Sequence, residues 1–336
     1  MRNKLYDKKI FRSAKFDFPL ICVGNLAVGG TGKTPMVEYL VSILEKKYKT
    51  ATLSRGYKRK TKGFLIASEK SKASEIGDEP MQIHKKFRGI TVAVAEERVI
   101  GIPQLLFEKP ATEVLILDDA FQHREVAAGL NILLTDYNNL YSKDFLLPAG
   151  HLRDSKKSSQ RADIIIVTKC KSNLTEVEKR AIINELKPTL NQDIFFTTIK
   201  YENPYHLFSA QKYSLEPQTN VLLVCGIANP KTIESELTSR SASVKMLRFK
   251  DHHNYDSVDI KRIKDEFSKI DSSDKIIITT EKDAARLSAF EDELKDLAIF
   301  ALPMSHQFLF NEEKKFEKLI FEYVEVSRKQ SSVDFQ

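Results

Sequence analysis

The chain has only three cysteines in 336 residues, and no stretch approaches the roughly 20 consecutive apolar residues that span a bilayer. Cys22, Cys170 and Cys225 each sit in or at the end of an apolar run. That position reads them as buried small hydrophobes on strands and excludes a disulfide framework, so the expected compartment is reducing. No charged-then-apolar secretory signal opens the sequence, and the chain is therefore expected to fold in the cytoplasm. Zinc-ligand spacing is absent, internal repeats are not evident, and low-order composition is confined to the ends, notably 327–336.

With 42% hydrophobic residues, the length leaves room for two domains of ordinary size. A net charge of +7 and a sequence pI near 9.0 favour anionic partners: nucleotides, nucleic acid or anionic lipid surfaces. The N-terminal segment concentrates that charge in Arg2, Lys4, Lys8, Lys9, Arg12 and Lys15, interleaved with Leu5, Tyr6, Ile10 and Phe11. It suits either a membrane surface or a solvated helix.

Apolar runs at 20–23, 50–53, 91–95, 114–117, 131–134 and 164–167 alternate with helix-like stretches, the pattern of a parallel sheet covered by helices. A connecting strand is expected at 192–199, and a second alternating set follows at 221–225, 243–249, 275–279 and 298–301. The expected domains are 1–200, which binds nucleotide, and a smaller α/β unit at 201–330, with the C-terminal helix free to pack back on the first.

The most informative run is Cys22-Val23-Gly24-Asn25-Leu26-Ala27-Val28-Gly29-Gly30-Thr31-Gly32-Lys33-Thr34-Pro35. An apolar strand ends in a glycine-rich loop, and a helix with an apolar face of Val37, Leu40, Val41 and Leu44 begins at Lys-Thr. Backbone N–H groups of such a loop converge on phosphate, the helix adds its dipole, Lys33 reaches the outer phosphates and the Thr34 hydroxyl ligates Mg²⁺. A strict phosphate loop has glycine where this chain has Ala27; Gly29, Gly30 and Gly32 still supply backbone freedom.

A second strand, 114–117, delivers Asp118 and Asp119 at its C-terminal end, where open α/β sheets hold ligands and where a carboxylate serves Mg²⁺. Further polar motifs surround these: Ser54-Arg55-Gly56-Tyr57, Gly77-Asp78-Glu79-Pro80, Gln122-His123-Arg124, Leu152-Arg153-Asp154 and Asp251-His252-His253-Asn254-Tyr255. Each has a plainer reading; Asp78 and Asp256, for instance, suit helix caps. A nucleotide-dependent switch of the deviant loop type carries Lys before Gly-Gly, where this chain has Val28. A GTPase wants a guanine-reading carboxylate that Val167-Thr168-Lys169-Cys170 lacks. A nucleic-acid binder leaves the clustered motifs idle.

Together with Gly226-Ile227-Ala228-Asn229-Pro230 and Thr280-Glu281-Lys282-Asp283-Ala284, these motifs make the chain resemble tetraacyldisaccharide 4′-kinase, the lipid A 4′-kinase of Gram-negative bacteria, from about residue 5 to residue 325. The resemblance implies transfer of the γ-phosphate of ATP to the 4′-hydroxyl of a tetraacylated glucosamine disaccharide 1-phosphate. It implies a monomer at the cytoplasmic face of the inner membrane, without nucleic acid as partner. The implied fold is α/β: a phosphate-loop NTPase-like α/β/α domain and a second, smaller α/β/α domain, joined by a two-stranded connection with substrate in the cleft. By the same resemblance Ala27, Val28, Gly29, Gly30, Thr31, Gly32, Lys33 and Thr34 hold the triphosphate of ATP, and Thr34 with Asp118 or Asp119 organises Mg²⁺. Asp78 matches the catalytic aspartate, partnered by His252 or, next in order, His253. Arg55, Tyr57, Gln122, His123, Arg124 and Arg153 fall near the acceptor.

Two departures stand out. The family commonly begins with a longer apolar segment than Asn3-Lys4-Leu5-Tyr6-Asp7 offers, so either the start is truncated or attachment is weaker and more electrostatic. Leu152-Arg153-Asp154-Ser155 replaces an expected Leu-Arg-Glu-Pro and keeps its acidic character.

Overall fold

A computed structural model of the chain describes residues 2–7, 10–251 and 253–333. His252, one of the expected bases, lies outside them, as do Lys8 and Lys9 of the basic segment. Two compact units emerge, one comprising Met1–Lys200 with Ser305–Gln336 and the other Tyr201–Met304.

In the first unit the strands are β1 (Ala14–Lys15), β2 (Leu20–Asn25), β3 (Thr50–Ser54), β4 (Leu65–Ile66), β5 (Thr91–Val94), β6 (Val114–Asp118), β7 (Val126–Ala127), β8 (Leu130–Asp136), β9 (Ile164–Thr168) and β10 (Asp193–Tyr201). β1 pairs with β7; the rest form a nine-stranded sheet in the order β16-β10-β9-β8-β2-β6-β3-β5-β4, with β16 (Met304–Phe308) returning from the far end of the chain. The pairs from β5 through β3, β6, β2, β8 and β9 to β10 are parallel, and β4 is an antiparallel edge.

Parallel strands covered on both faces are continuous apolar runs, which is why 20–23, 114–117 and 164–167 were legible. Side chains alternate across β2: Leu20 and Cys22 join Leu53, Ile102 and Leu105 on one face, while Ile21 and Val23 join Met36, Val37, Leu40 and Leu44 on the other. Helices 33–44 and 98–108 therefore cover opposite faces, giving an α/β/α sandwich. Helix Glu313–Val333 sets Phe316, Ile320 and Val324 into the same core as Val37 and Leu40. Each of those buried side chains contributes about 1.5–3 kcal/mol by leaving water; the C-terminal helix packs back on the first unit, as the sequence reading allowed, and the second unit ends at Met304, short of the expected 330. β4 and β16 had no apolar-run signal because they are edge strands.

The second unit holds β11 (Tyr205–His206), β12 (Asn220–Cys225), β13 (Ser243–Arg248), β14 (Lys275–Thr280) and β15 (Ile299–Leu302), in the order β11-β15-β14-β12-β13. Three of its motifs converge on one carboxylate. Asp283 is fully buried and accepts from Gly226 N (3.0 Å), Tyr255 Oη (2.9 Å) and Thr280 Oγ1 (2.7 Å), and it pairs with Arg286 at 2.5 Å. A buried carboxylate with that many donors is a structural hub. It ties the loop after β12 and the segment before helix Ser257–Ser268 to helix Glu281–Leu287.

All three cysteines are free and buried, and burial pushes the Cys22 thiol up to about 12. Cys22 and Cys225 are strand residues; Cys170 follows β9 instead of lying on it, because Lys169 turns the chain at a φ of 57°.

Candidate nucleotide site

The site assembles at the C-terminal ends of β2, β3, β6, β8 and β9, where an open parallel sheet leaves its crevice. The loop 26–32 leaves β2 and enters helix Lys33–Leu44 through Gly32, whose φ of 85° favours glycine. Gly24 lets the loop approach its neighbour: a Cβ there would lie 2.5 Å from Phe121 Cβ.

Side chains hold the loop from inside. Asn25 Nδ2 donates to Thr31 Oγ1 (2.8 Å), while Asn25 Oδ1 accepts from Lys33 Nζ (3.3 Å) and an Arg153 guanidinium nitrogen (2.6 Å). Gln122 Nε2 donates to the Asn25 carbonyl. The Thr31 carbonyl accepts from Thr168 Oγ1 (2.8 Å), and the Gly32 carbonyl meets His306 Nε2 at 2.9 Å. Because that carbonyl can only accept, His306 carries its proton on Nε2, and Nδ1 accepts from Thr197 Oγ1 at 2.9 Å. Burial holds the imidazole neutral, down to about 4. A planar trans peptide points its N–H opposite its C=O. Anchoring the carbonyls of 31 and 32 thus sets the Gly32 and Lys33 amides toward the other side, the geometry a phosphate needs.

His306→Ala should therefore raise the KM for ATP about tenfold and destabilise the unit by roughly 1–3 kcal/mol, through an unsatisfied carbonyl. His306→Gln should recover part of both. An unchanged KM in the alanine variant would remove this role.

Asp118 and Asp119 end β6 in different electrostatic states. Asp118 is 3% exposed, and burial, with Glu79 and Asp119 adding repulsion, pushes its carboxyl up to about 7 against Lys33 and Arg98. Its Oδ1 has no hydrogen-bond partner among the described residues. Asp119 adopts a φ of 47°, a strained backbone for a non-glycine residue, which turns its side chain to Lys33 (3.5 Å) and Arg153 (2.9 Å). Burial opposes its charge, but those two cations hold the carboxyl down to about 2.

Asp78 is the first residue of helix Asp78–Lys86. The expected capping role falls to Gly77, which occupies the cap position at a φ of 97°, so Asp78 is not the cap. Glu79, the next residue of this helix, adds repulsion to Asp118 at the end of β6. The helix is held against the phosphate-loop helix by Gln82 and Lys86, which donate to Glu38 at 2.7 and 2.6 Å. Asp256, by contrast, does cap its helix, accepting from Val258 N and Asp259 N. His253 Nε2 lies 2.6 Å from Asp259 Oδ2, and its ring stacks on Phe249.

The remaining candidates divide. Arg153 and Gln122 join the loop directly. Arg55 and Tyr57 are exposed beyond β3. His123 faces Glu125 at 3.0 Å, and Arg124 donates to the Asn3 carbonyl at 2.9 Å. Sequence reasoning assigned no role to Asn25, Thr168, His306 or Arg98. Arg98 is fully buried and donates to the carbonyls of Ala95 (2.6 Å) and Asp118 (3.2 Å), pinning the strand end that presents both aspartates. A lone arginine at a helix start carries no signal for that.

The model of the family described as tetraacyldisaccharide-1-P 4′-kinase matches residues 1–325. The chain is 43% identical to the tetraacyldisaccharide 4′-kinase of Bacteroides fragilis strain YCH46, covering 99% of this chain and 91% of that protein. It is 45% identical to the protein of that name from Flavobacterium psychrophilum, covering 97% and 93%. Among solved structures, "apo" form LpxK from Aquifex aeolicus in complex with ATP superposes with a TM-score of 0.74 at 31% identity, covering 96% of this chain and 94% of that one.

Proposed function

The chain belongs to the tetraacyldisaccharide-1-P 4′-kinase family, and from that premise we propose how its own residues carry out the reaction. The protein is an ATP-dependent lipid kinase that phosphorylates the 4′-hydroxyl of a tetraacylated disaccharide 1-phosphate. The observation that carries the mechanism is the constellation of a carbonyl-anchored loop, Lys33 and two aspartates at the C-terminal ends of β2 and β6.

The loop 27–34 receives the phosphates of ATP through amides such as those of Gly32 and Lys33, and Lys33 exchanges its contact with Asp119 for the outer phosphates. Arg153, already bridging Asn25 and Asp119, keeps the loop in register as Lys33 moves. Asp118 fits a Mg²⁺ role on its own evidence: a buried carboxylate with a partnerless oxygen is stabilised by a cation. Thr34, buried in the first helical turn, is the second proposed ligand. No group of three or more His, Cys, Asp or Glu gathers as a metal cage among the described residues. That suits Mg²⁺, which takes one or two protein oxygens and keeps phosphate oxygens and waters. When bound, Mg²⁺ neutralises charge on the transferring phosphoryl group.

Asp78 is assigned as the base that takes the proton of the acceptor hydroxyl. His252 is proposed to assist it, with His253, whose Nε2 lies 2.6 Å from Asp259 Oδ2, next in order. No described helix is long and apolar enough to cross a membrane, and we place the enzyme peripherally, at the cytoplasmic face of the inner membrane.

Transfer of labelled phosphate from ATP to tetraacyldisaccharide 1-phosphate tests the reading; ATP binding without transfer would overturn it. ATP binding is expected to depend on Mg²⁺, and Asp118→Asn should abolish that dependence and cut turnover by about 10²–10³-fold. Retained Mg²⁺ dependence would move the metal to other ligands.

A further inference from the structure

Phe145, Leu146 and Leu147 are consecutive and are 65%, 53% and 52% exposed. Three large apolar side chains in a row, turned to water, are not what a solvated loop requires. The loop that shows them is tightly made. Leu147 N donates to Leu152 O (3.0 Å), Leu152 N to Phe145 O (2.9 Å) and Gly150 N to Leu146 O (3.2 Å). At its base the buried Asp144 accepts from the backbone N–H of Phe145 (2.8 Å) and His151 (3.1 Å) and from Asn139 (3.0 Å). The exposure is thus built into a fixed backbone and does not come from fraying.

Charge completes the pattern. Lys143, Lys156 and Lys157 are exposed in the segments that flank the loop, and Lys156 Nζ lies 5.4 Å from the Phe145 ring centroid. The acids of 137–161 are Asp144 and Asp154, and both are buried. The surface offered is therefore apolar at the centre and cationic at the rim, the complement of acyl chains beneath anionic headgroups. The same loop is stapled to the phosphate loop: Val28 N donates to His151 O (2.8 Å), Arg153 N donates to Leu26 O (2.7 Å), and Ala27 bridges Leu152. Asn3 of the N-terminal helix Arg2–Asp7 donates to Asp154 at 2.9 Å, which joins that basic segment to the end of the loop.

We propose that Phe145-Leu146-Leu147 inserts into the acyl region of an anionic bilayer and seats the phosphate loop at the membrane surface. The proposal rests on the lipid-kinase reading only for its purpose, and its membrane-binding readouts need neither ATP nor acceptor lipid. The chain contains no tryptophan, so Phe145→Trp places a single indole at the tip. With vesicles of phosphatidylglycerol and phosphatidylcholine, its emission should shift to the blue and be quenched by brominated acyl chains. Replacing Phe145, Leu146 and Leu147 together by serine should weaken vesicle partitioning about tenfold or more, because three exposed apolar groups are lost. Lys156→Glu with Lys157→Glu should weaken binding to the anionic vesicles and leave pure phosphatidylcholine unaffected. Fluorescent-ATP binding by the serine variant, without vesicles, checks the fold. Unchanged indole emission on vesicle-bound protein would overturn the proposal, as would undiminished partitioning of the triple serine variant. Failure of phosphate transfer alongside a normal emission shift would count against the kinase reading alone.

Discussion

Alanine at Lys33 is expected to reduce turnover by about 10²–10³-fold or more, since it removes a charge aimed at the phosphoryl group that a loose transition state leaves negative. The side chain is 15% exposed, and its contacts are Asn25 Oδ1 and Asp119, not the apolar core. Circular dichroism and thermal unfolding should therefore stay near wild type, with any change below about 1 kcal/mol. Asp119 keeps Arg153 as a partner in the variant. Activity above about half of wild type would sink the phosphate-loop assignment, because no other lysine is brought into the loop's described contacts.

Asp78→Ala should lower kcat by roughly 10²–10⁴-fold with little change in the KM for ATP, as expected of a base acting in the chemical step. The competing account is structural. As an acid in the first turn, Asp78 contributes about 0.3–1 kcal/mol through the helix dipole, and Gly77 already occupies the cap. A loss of that size with kcat intact would end the catalytic assignment. Combining Asp78→Ala with His252→Ala and, separately, with His253→Ala resolves the histidines. Groups working as a unit lose activity non-additively, so His252 should couple to Asp78. His253→Ala should act mainly through its bond to Asp259. Additive losses at both positions would dissolve the pair.

Much of this was legible in the chain because its signals are local. Runs 20–23, 114–117 and 164–167 announced buried parallel strands through composition alone, and each proved one or two residues longer at its C-terminal end. Those extra residues are Gly24 and Asn25, Asp118, and Thr168, where the strand carries function and gives up apolarity. The phosphate loop was legible for the same reason: its glycines, Lys33 and Thr34 are contiguous. The end of the second unit was not, because helix 313–333 is amphipathic and its apolar face fits either unit equally well as a pattern. Phe316, Ile320 and Val324 settle the matter only by the core they enter.

By itself, the sequence determined an α/β fold, a phosphate cradle at the end of its first long strand, and the order of motifs that identifies the family. Backbone periodicity and glycine geometry operate over a few residues, so they can be read in one dimension. Tertiary structure alone decided what the polar groups mean. Arg153 reaches Asn25 across 128 positions, and His306 reaches the Gly32 carbonyl across 274. Two adjacent aspartates, indistinguishable as letters, part because one is buried with an oxygen that has no hydrogen-bond partner among the described residues and the other lies between two cations. The charge state of an ionisable group follows from its desolvation and its neighbours, and both exist only once the chain has folded.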